Sequence, residues 1–227
     1  MIFYTFGTDK RDKPLNMEFF YPVVITNYKG KIYVSVSNKY YDIVVNSMKN
    51  INLYELSEEK IINILKRTFS NALENFEVKI MYKMHKNSLI DIEKNIAVPL
   101  NNDTKKYFMN TGKKSHDTLF KEEKWKQMNY IIDNEMVFIV PKNDKIVSMA
   151  YTSDIYGEGA NIVVSTNEKY RNNGYGKDSV TNLTNAIIKK GLLPIYFVNK
   201  ENNISIKLAK SLGYENMATE IVLCVNK

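Results

Sequence analysis

Cysteine, histidine and proline are scarce in this sequence. Its 227 residues include one cysteine, Cys224, two histidines and five prolines. A single cysteine excludes an internal disulfide framework and a cysteine-rich metal site. We therefore predict no bound metal, and we expect a reducing compartment such as the cytoplasm.

Long apolar runs are also missing. A membrane-spanning helix needs roughly 18 consecutive apolar residues, and no stretch reaches that length. Residues 1–5, which read Met-Ile-Phe-Tyr-Thr, lack the basic start and the long apolar run of a secretory signal. We therefore expect neither secretion nor a membrane partner, which again favours the cytoplasm.

The charge is positive but dispersed. The formal net charge is +7, and lysines are spread along the whole chain without a long basic run. A positive net charge would favour binding to nucleic acid, to a membrane surface or to a small polyanionic ligand. A nucleic-acid module would rest on charge alone, because neither a zinc motif nor an RNP motif is present. A solvated lysine-rich surface is the simpler interpretation, and we predict no nucleic-acid partner.

The N-terminal part of the chain reads as strands interrupted by one helix. Apolar or alternating segments predict strands at 17–25, 31–36 and 78–84, and a further segment, 40–45, is predicted to pair back as a strand. Ser57 can cap a following helix, and the two glutamates after it suit the first turn. The apolar face of this helix recurs near helical spacing: Ile61, Ile62, Leu65 and Phe69.

A soft boundary falls near residue 112. Between Asn87 and Lys114 the periodicity weakens, and proline, paired asparagines and Gly112 are typical of loops. We predict an N-terminal α/β domain of residues 1–112 and a second domain of residues 113–227.

The second domain has a clearer order of elements. Its pattern predicts a helix, three antiparallel strands, a helix, a strand, a helix and a last strand. The predicted bounds are 117–130, 136–140, 146–152, 160–166, 175–190, 194–198, 203–212 and 218–225. The fold class is therefore α+β, with a central mixed sheet flanked by helices and preceded by a smaller α/β domain.

The most informative segment, Val164–Lys177, joins a strand to an amphipathic helix. Backbone amides at a helix N-terminus lack partners and lie at the positive end of the dipole, so they bind phosphate. A P-loop would need glycine at Arg171 and serine or threonine at Asp178. A dinucleotide fingerprint that starts at Gly174 would need glycine at Ser179. Neither pattern fits.

The pattern that fits is Arg-x-x-Gly-x-Gly at residues 171–176. It resembles the acetyl-CoA loop of the GCN5-related N-acetyltransferases, the GNAT family. Residues 202–205, with the helix that ends at Gly213-Tyr214, resemble the family's later motif, and Lys145–Tyr151 is similar to the strand that precedes the cofactor strand. Together these segments cover about residues 117–225. The resemblance implies a GNAT-like fold there, with acetyl-CoA as co-substrate.

The resemblance also implies roles for individual residues. The family's cofactor strand splays from its neighbour and pairs with the pantetheine arm, which would involve Val164 and Thr166. Asn202 matches the polar residue that meets this arm or positions the thiol, although capping a helix is an alternative. The loop would cradle the pyrophosphate through Arg171, Asn172, Asn173, Gly174, Tyr175, Gly176 and Lys177.

The implied chemistry is direct attack of an amine on the thioester. The amine must lose a proton, and the thiolate departs more readily when it gains one. Many family members supply that proton from a tyrosine in the late helix, where this sequence has Ala209. Tyr214 and Tyr196 are nearby candidate acids, with a structural place in the core as the alternative for each. Glu158 and Asp154 are candidate bases, with solvated turn carboxylates as the alternative.

We predict an acetyl-CoA-dependent N-acyltransferase whose acceptor is a small-molecule amine, with a protein amine as a second acceptor class. The alternative is a non-catalytic CoA-binding regulator or sensor, which Ala209 favours. Residues 1–112 either shape the acceptor pocket or form a scaffold or dimer surface, so a homodimer stays open.

Overall fold

The computed structural model describes residues 4–12, 19–112 and 118–226. Within those ranges the chain forms ten strands and six α-helices. They are β1 Tyr4–Gly7, β2 Phe19–Tyr28, β3 Lys31–Val36, α1 Tyr41–Met48, α2 Glu58–Phe69, β4 Phe76–His85, β5 Val98–Pro99, α3 Lys105–Asn110, α4 Thr118–Asp133, β6 Val137–Lys142, β7 Lys145–Tyr156, β8 Gly159–Thr166, α5 Tyr175–Lys189, β9 Leu193–Asn199, α6 Asn203–Ser211 and β10 Glu215–Asn226.

The chain divides into two compact units. The first takes in residues 1–84, 197–206 and 216–227, and the second takes in 85–196 and 207–215. Residues 85–112 therefore pack within the second unit. The division of the chain into domains at residue 112 stays a prediction.

The first unit contains strands in the order β1-β3-β2-β10-β4. β2 and β3 form an antiparallel hairpin, and β10 pairs antiparallel with β2 from the other end of the chain. Leu65 and Phe69 of α2 are fully buried in its core with Val34 and Val36 of β3. Amphipathic α2 thus stabilises this unit by covering apolar strand residues.

The prediction of a strand at 40–45 is wrong, because this segment forms a 3₁₀ turn and then helix α1. Tyr40, Val44 and Met48 recur every four residues, and all three are buried. Burial on this helical spacing outweighs the strand preference of the β-branched residues. The ring of Tyr40 packs edge-on against Phe69, with 5.5 Å between ring centroids.

The second unit contains strands in the order β9-β8-β7-β6-β5. β8 runs parallel to β9, and the pairs β7–β8, β6–β7 and β5–β6 are antiparallel. Met149 and Tyr151 of β7 pack with Trp125 of α4, whereas Ser148 hydrogen-bonds Ser179 of α5. Successive strand residues face opposite sides, so α4 and α5 cover opposite faces of the sheet.

A mixed sheet flanked by helices confirms the predicted fold class. The segment read as loop between 87 and 114 also holds the short elements β5 and α3. No helix in the described part of the chain has both the length and the apolar character to cross a membrane.

Candidate functional site

The strand β8 is paired on both sides only over its first half. Parallel pairs join Gly159–Ile162 to Leu193–Tyr196 of β9. Among the residues that the structure describes, Val163–Thr166 pair with β7 alone. Val163 is correspondingly 36% exposed. The second half of β8 is therefore an open strand edge.

The backbone of Val164 and Thr166 is directed to that open edge. The N–H of Asn167 donates to the carbonyl oxygen of Val147 at 2.9 Å, which flanks the pair Ser148–Thr166. This makes Ser148–Thr166 a non-hydrogen-bonded pair, and since the two kinds alternate, Ala150–Val164 is another. The N–H and C=O groups of Val164 and Thr166 thus point away from β7.

The loop after β8 is shaped by local polar contacts. The side chain of Asn167 accepts a hydrogen bond from the N–H of Lys169 and begins a 3₁₀ turn at 168–170. The side-chain amide of Asn173 donates to the carbonyl oxygens of Tyr170 and Arg171, at 3.2 and 2.9 Å. These contacts hold the loop in one shape as it enters α5.

Helix α5 begins without a side-chain cap. Its N-cap residue is Gly174, and the first bond of the helix runs from the N–H of Asp178 to the carbonyl oxygen of Gly174. Six consecutive backbone N–H groups, from Asn172 to Lys177, have no acceptor among the described residues. Such a row of donors at the positive end of a helix is suited to bind a phosphate group.

The two glycines of the motif meet different requirements. Gly174 has φ +80°, a left-handed conformation that a side chain would strain. Gly176 lies against β8, since a Cβ added there would come within 3.0 Å of Thr166 Oγ1. Gly176 thus permits close packing of α5 on the cofactor-strand candidate.

Three hydroxyl groups connect the end of β8 to the first turn of α5. The Oγ1 of Thr166 lies 2.9 Å from Ser148 Oγ, which lies 3.1 Å from Ser179 Oγ. Ser179 Oγ also donates to the carbonyl oxygen of Tyr175 at 3.1 Å. This buried network fixes the open edge of β8 relative to the amides of the loop.

Helix α5 also holds the segment 90–97, a contact that the sequence motifs did not reveal. The carboxylate of Asp178, which is 5% exposed, accepts hydrogen bonds from the N–H groups of Ile96 and Ala97 at 2.7 and 2.6 Å. The side chain of Asn185 both accepts from and donates to the backbone of Ile90, at 2.8 Å each way. Two polar residues on the buried face of an amphipathic helix are the only signal that the sequence offers for this contact.

The cationic groups of the loop have carboxylate neighbours. Arg171 lies 3.4 Å from Glu168, and Lys177 lies 2.6 Å from Glu93. The pKa of the Glu93 carboxyl is lowered, first by the hydrogen bond from Lys177 and then by the charge of Lys177. Tyr175 packs partly buried, and its hydroxyl lies 3.3 Å from Lys142 Nζ.

Asn202 belongs to the first compact unit, whereas the other predicted cofactor residues belong to the second. Its side-chain oxygen accepts a hydrogen bond from the N–H of Ser205 at 3.1 Å, and its carbonyl oxygen accepts from the N–H of Ile206. Asn202 therefore caps α6. A second role in cofactor binding stays a prediction.

The residues predicted for proton transfer have contrasting surroundings. Tyr214 is buried, and its hydroxyl lies 2.6 Å from Thr184 Oγ1. Burial raises the pKa of Tyr214 above its ordinary value. Glu158 and Asp154 have exposed side chains at the end of β8 opposite the loop. Ala209, at the family's usual tyrosine position, is fully buried.

Solved structures of acetyltransferases share this fold. An acetyltransferase from the GNAT family from Colwellia psychrerythraea has a TM-score of 0.53 at 13% identity, covering 85% of this chain and 75% of that one. A GCN5-related N-acetyltransferase-like protein from Streptococcus suis has a TM-score of 0.50 at 18% identity, covering 73% and 67%. For a GNAT-family structure from Novosphingobium aromaticivorans, the TM-score is 0.48 at 16% identity. The match covers 66% of this chain and 66% of that chain, just under two thirds.

The model of one protein family, described as GNAT acetyltransferase, matches residues 14–221. The chain therefore belongs to the GNAT acetyltransferase family. No curated protein matches the sequence. The family match includes most of residues 1–112, so a separate additional N-terminal domain does not follow from it.

Proposed function

We propose that this protein transfers the acetyl group of acetyl-CoA to an amine, and that the acceptor is a small molecule. The observation that carries the proposal is the continuity of two features on one stretch of chain. The open edge of β8 ends at Thr166, and the acceptor-free amides begin six residues later, at Asn172. An extended arm that ends in a pyrophosphate fits this succession.

The described residues fit acetyl-CoA in both chemistry and conformation. The backbone groups of Val164 and Thr166 would pair with the amides of the pantetheine arm, as a strand edge pairs with an extended peptide. The amides of Asn172–Lys177 would bind the pyrophosphate, with the left-handed Gly174 keeping the entry clear. The bound group supplies an acetyl thioester, an acyl donor that an amine attacks directly.

Residues of the chain would orient the reactants and manage the protons. A backbone N–H on the open half of β8 would donate a hydrogen bond to the developing oxyanion. Tyr214 is protonated at neutral pH, as a tyrosine with its ordinary pKa of about 10 would be, and burial raises its pKa further. An acid must hold its proton until the thiolate departs. Glu158 is proposed as the base that receives the amine proton.

The substitution Tyr214→Phe separates a chemical role from a structural one. If Tyr214 donates a proton, kcat falls by about 100-fold or more while the KM for acetyl-CoA changes little. If the hydroxyl serves only as the partner of Thr184, stability falls by about 1 kcal/mol and kcat is retained.

A panel of small amines, assayed by release of free CoA thiol, tests the transferase function. Turnover that exceeds the rate of acetyl-CoA hydrolysis supports it. The second candidate, a CoA-binding sensor, is favoured by Ala209 at the usual acid position. Tight binding of acetyl-CoA without turnover of any amine or peptide N-terminus would favour the sensor and contradict the transferase.

A further inference from the structure

Lys94 reaches the phosphate loop from a distant part of the sequence. Its Nζ donates to the carbonyl oxygen of Asn173 at 3.3 Å. The same Nζ lies 3.3 Å from the place where a Cβ of Gly174 would be. The ammonium group therefore lies beside the middle of the row of acceptor-free amides, although 79 residues separate Lys94 from Asn173.

The charge of Lys94 is not neutralised by an ion pair. Arg171 and Lys177 each lie within 4 Å of a carboxylate, on Glu168 and Glu93 respectively. Lys94 has no carboxylate within that distance among the residues that the structure describes. The charge of Lys94 also lowers the pKa of the Glu93 carboxyl, after the larger effect of Lys177.

The charges around Lys94 are mixed, since the carboxylates of Asp91, Glu93 and Asp178 line the same small recess. Two of these carboxylates are already engaged, because Glu93 pairs with Lys177 and Asp178 accepts backbone hydrogen bonds. An anion bound between Lys94 and the amides would gain a charge-assisted hydrogen bond from the lysine. Lys94 is thus placed to add a cationic contact to an anion that the amides hold.

We propose that Lys94 binds the pyrophosphate of acetyl-CoA and that Asp178 is the residue that positions it there. This inference rests on the proposed function, since it names a further contact of the same cofactor. The pyrophosphate is chosen over the 3′-phosphate because Lys94 lies at Asn173 and Gly174, inside the row of amides and not beyond either end of it.

Asp178 acts through the backbone of the segment that carries Lys94. Its Oδ2 accepts hydrogen bonds from the N–H groups of Ile96 and Ala97, two and three residues after Lys94. A buried carboxylate that accepts two amide hydrogen bonds is a strong anchor. Asp178 also stands in the first turn of α5, so one residue ties the helix N-terminus to the lysine.

The test is calorimetric titration of the full chain with three ligands: acetyl-CoA, 3′-dephospho-acetyl-CoA and acetyl-pantetheine. Lys94→Met should weaken binding of the first two by about tenfold each, the effect of losing one charge-assisted contact. Acetyl-pantetheine has no pyrophosphate, so its affinity should not change. Lys189→Met, at the exposed far end of the same helix, is the matched control and should change none of the three.

A double-mutant cycle tests the positioning role. Asp178→Ala should weaken acetyl-CoA binding by a similar factor, and adding Lys94→Met to it should cost little more, because both remove the same contact. Asp178→Asn keeps an acceptor oxygen and should restore most of the affinity. Fully additive losses would overturn the role of Asp178.

Two further outcomes separate this inference from the function on which it rests. If the wild type binds acetyl-CoA but Lys94→Met leaves its affinity unchanged, or lowers it only when the 3′-phosphate is present, the pyrophosphate contact is wrong while the proposed function stands. If the wild type binds none of the three ligands, the proposed function itself fails.

Discussion

Helices α2 and α5 are both amphipathic and of similar length, but they begin in opposite ways. At α2, the side chain of Ser57 accepts a hydrogen bond from the N–H of Lys60, and Glu58 and Glu59 occupy the first turn. At α5, the N-cap is Gly174 and no side chain caps the helix. The nearby charges are mixed: Lys94 and Lys177 lie there with Asp91, Glu93 and the first-turn Asp178.

This difference separates a helix start that serves stability from one that serves binding. At α2 the chain itself supplies a side-chain acceptor for one orphan amide and carboxylates for the positive end of the dipole, which lowers the energy of the folded state. At α5 the chain leaves the amides without acceptors, because the first-turn carboxylate of Asp178 accepts hydrogen bonds from Ile96 and Ala97 instead. Only an external anion completes that second arrangement, so the stability given up at α5 is available as binding energy.

The largest effect is expected at Gly174. Gly174→Asp places a carboxylate among the amides and beside the phosphates, and it should weaken acetyl-CoA binding by at least about 100-fold, or roughly 2.7 kcal/mol. Gly174→Asn is nearly isosteric and also tolerates the left-handed conformation, so it should weaken binding only about tenfold. Titration calorimetry on both variants separates the effect of the added charge from the effect of the added side chain. Equal losses of affinity for acetyl-CoA would contradict the electrostatic explanation.

A smaller effect is expected at Ser57, and on stability instead of binding. Ser57→Ala removes the cap of α2 and should lower the free energy of unfolding by about 0.5–1 kcal/mol, since the capping bond is long at 3.4 Å. Urea unfolding measures this change. Ser57→Asn keeps a cap and serves as the control, and the affinity for acetyl-CoA should be the same in all three proteins.

The smallest effect is expected from inorganic pyrophosphate alone. At twice its dissociation constant it should stabilise the wild type by about 0.65 kcal/mol, which raises Tm by about 1–2 °C. Sodium chloride at matched ionic strength is the control. The rise should persist in Ser57→Ala and vanish in Gly174→Asp; a rise that persists in Gly174→Asp would place the anion elsewhere.

Local signals in the sequence were sufficient to predict most helices and strands of the second unit. The late helix ends at Gly213, as the sequence motif predicted, and both Gly213 after α6 and Gly191 after α5 have the left-handed conformation. The loop motif likewise predicted an uncapped helix start with exposed amides. These features depend on residues close together in the chain, where spacing and backbone preference act directly.

Contacts between distant segments were not predictable in this way. The helical periodicity of Tyr40, Val44 and Met48 spans too few turns to be distinguished from a strand, and only tertiary burial selects the helix. The hydrogen bonds of Asp178 to Ile96 and Ala97 join residues more than 80 positions apart. Nothing in the local pattern around Lys94 indicates that it reaches the phosphate loop.

The most direct test of the account is an amide titration of the protein labelled with ¹⁵N-glycine. Nine glycines give nine resonances, and Gly174 and Gly176 can be assigned from single substitutions to alanine. On addition of acetyl-CoA, the account predicts saturable shifts at Gly174 and Gly176, with Gly30 and Gly191 unchanged. Saturable binding that shifts other glycines and leaves Gly174 and Gly176 unmoved would contradict the claim that the open start of α5 holds the cofactor.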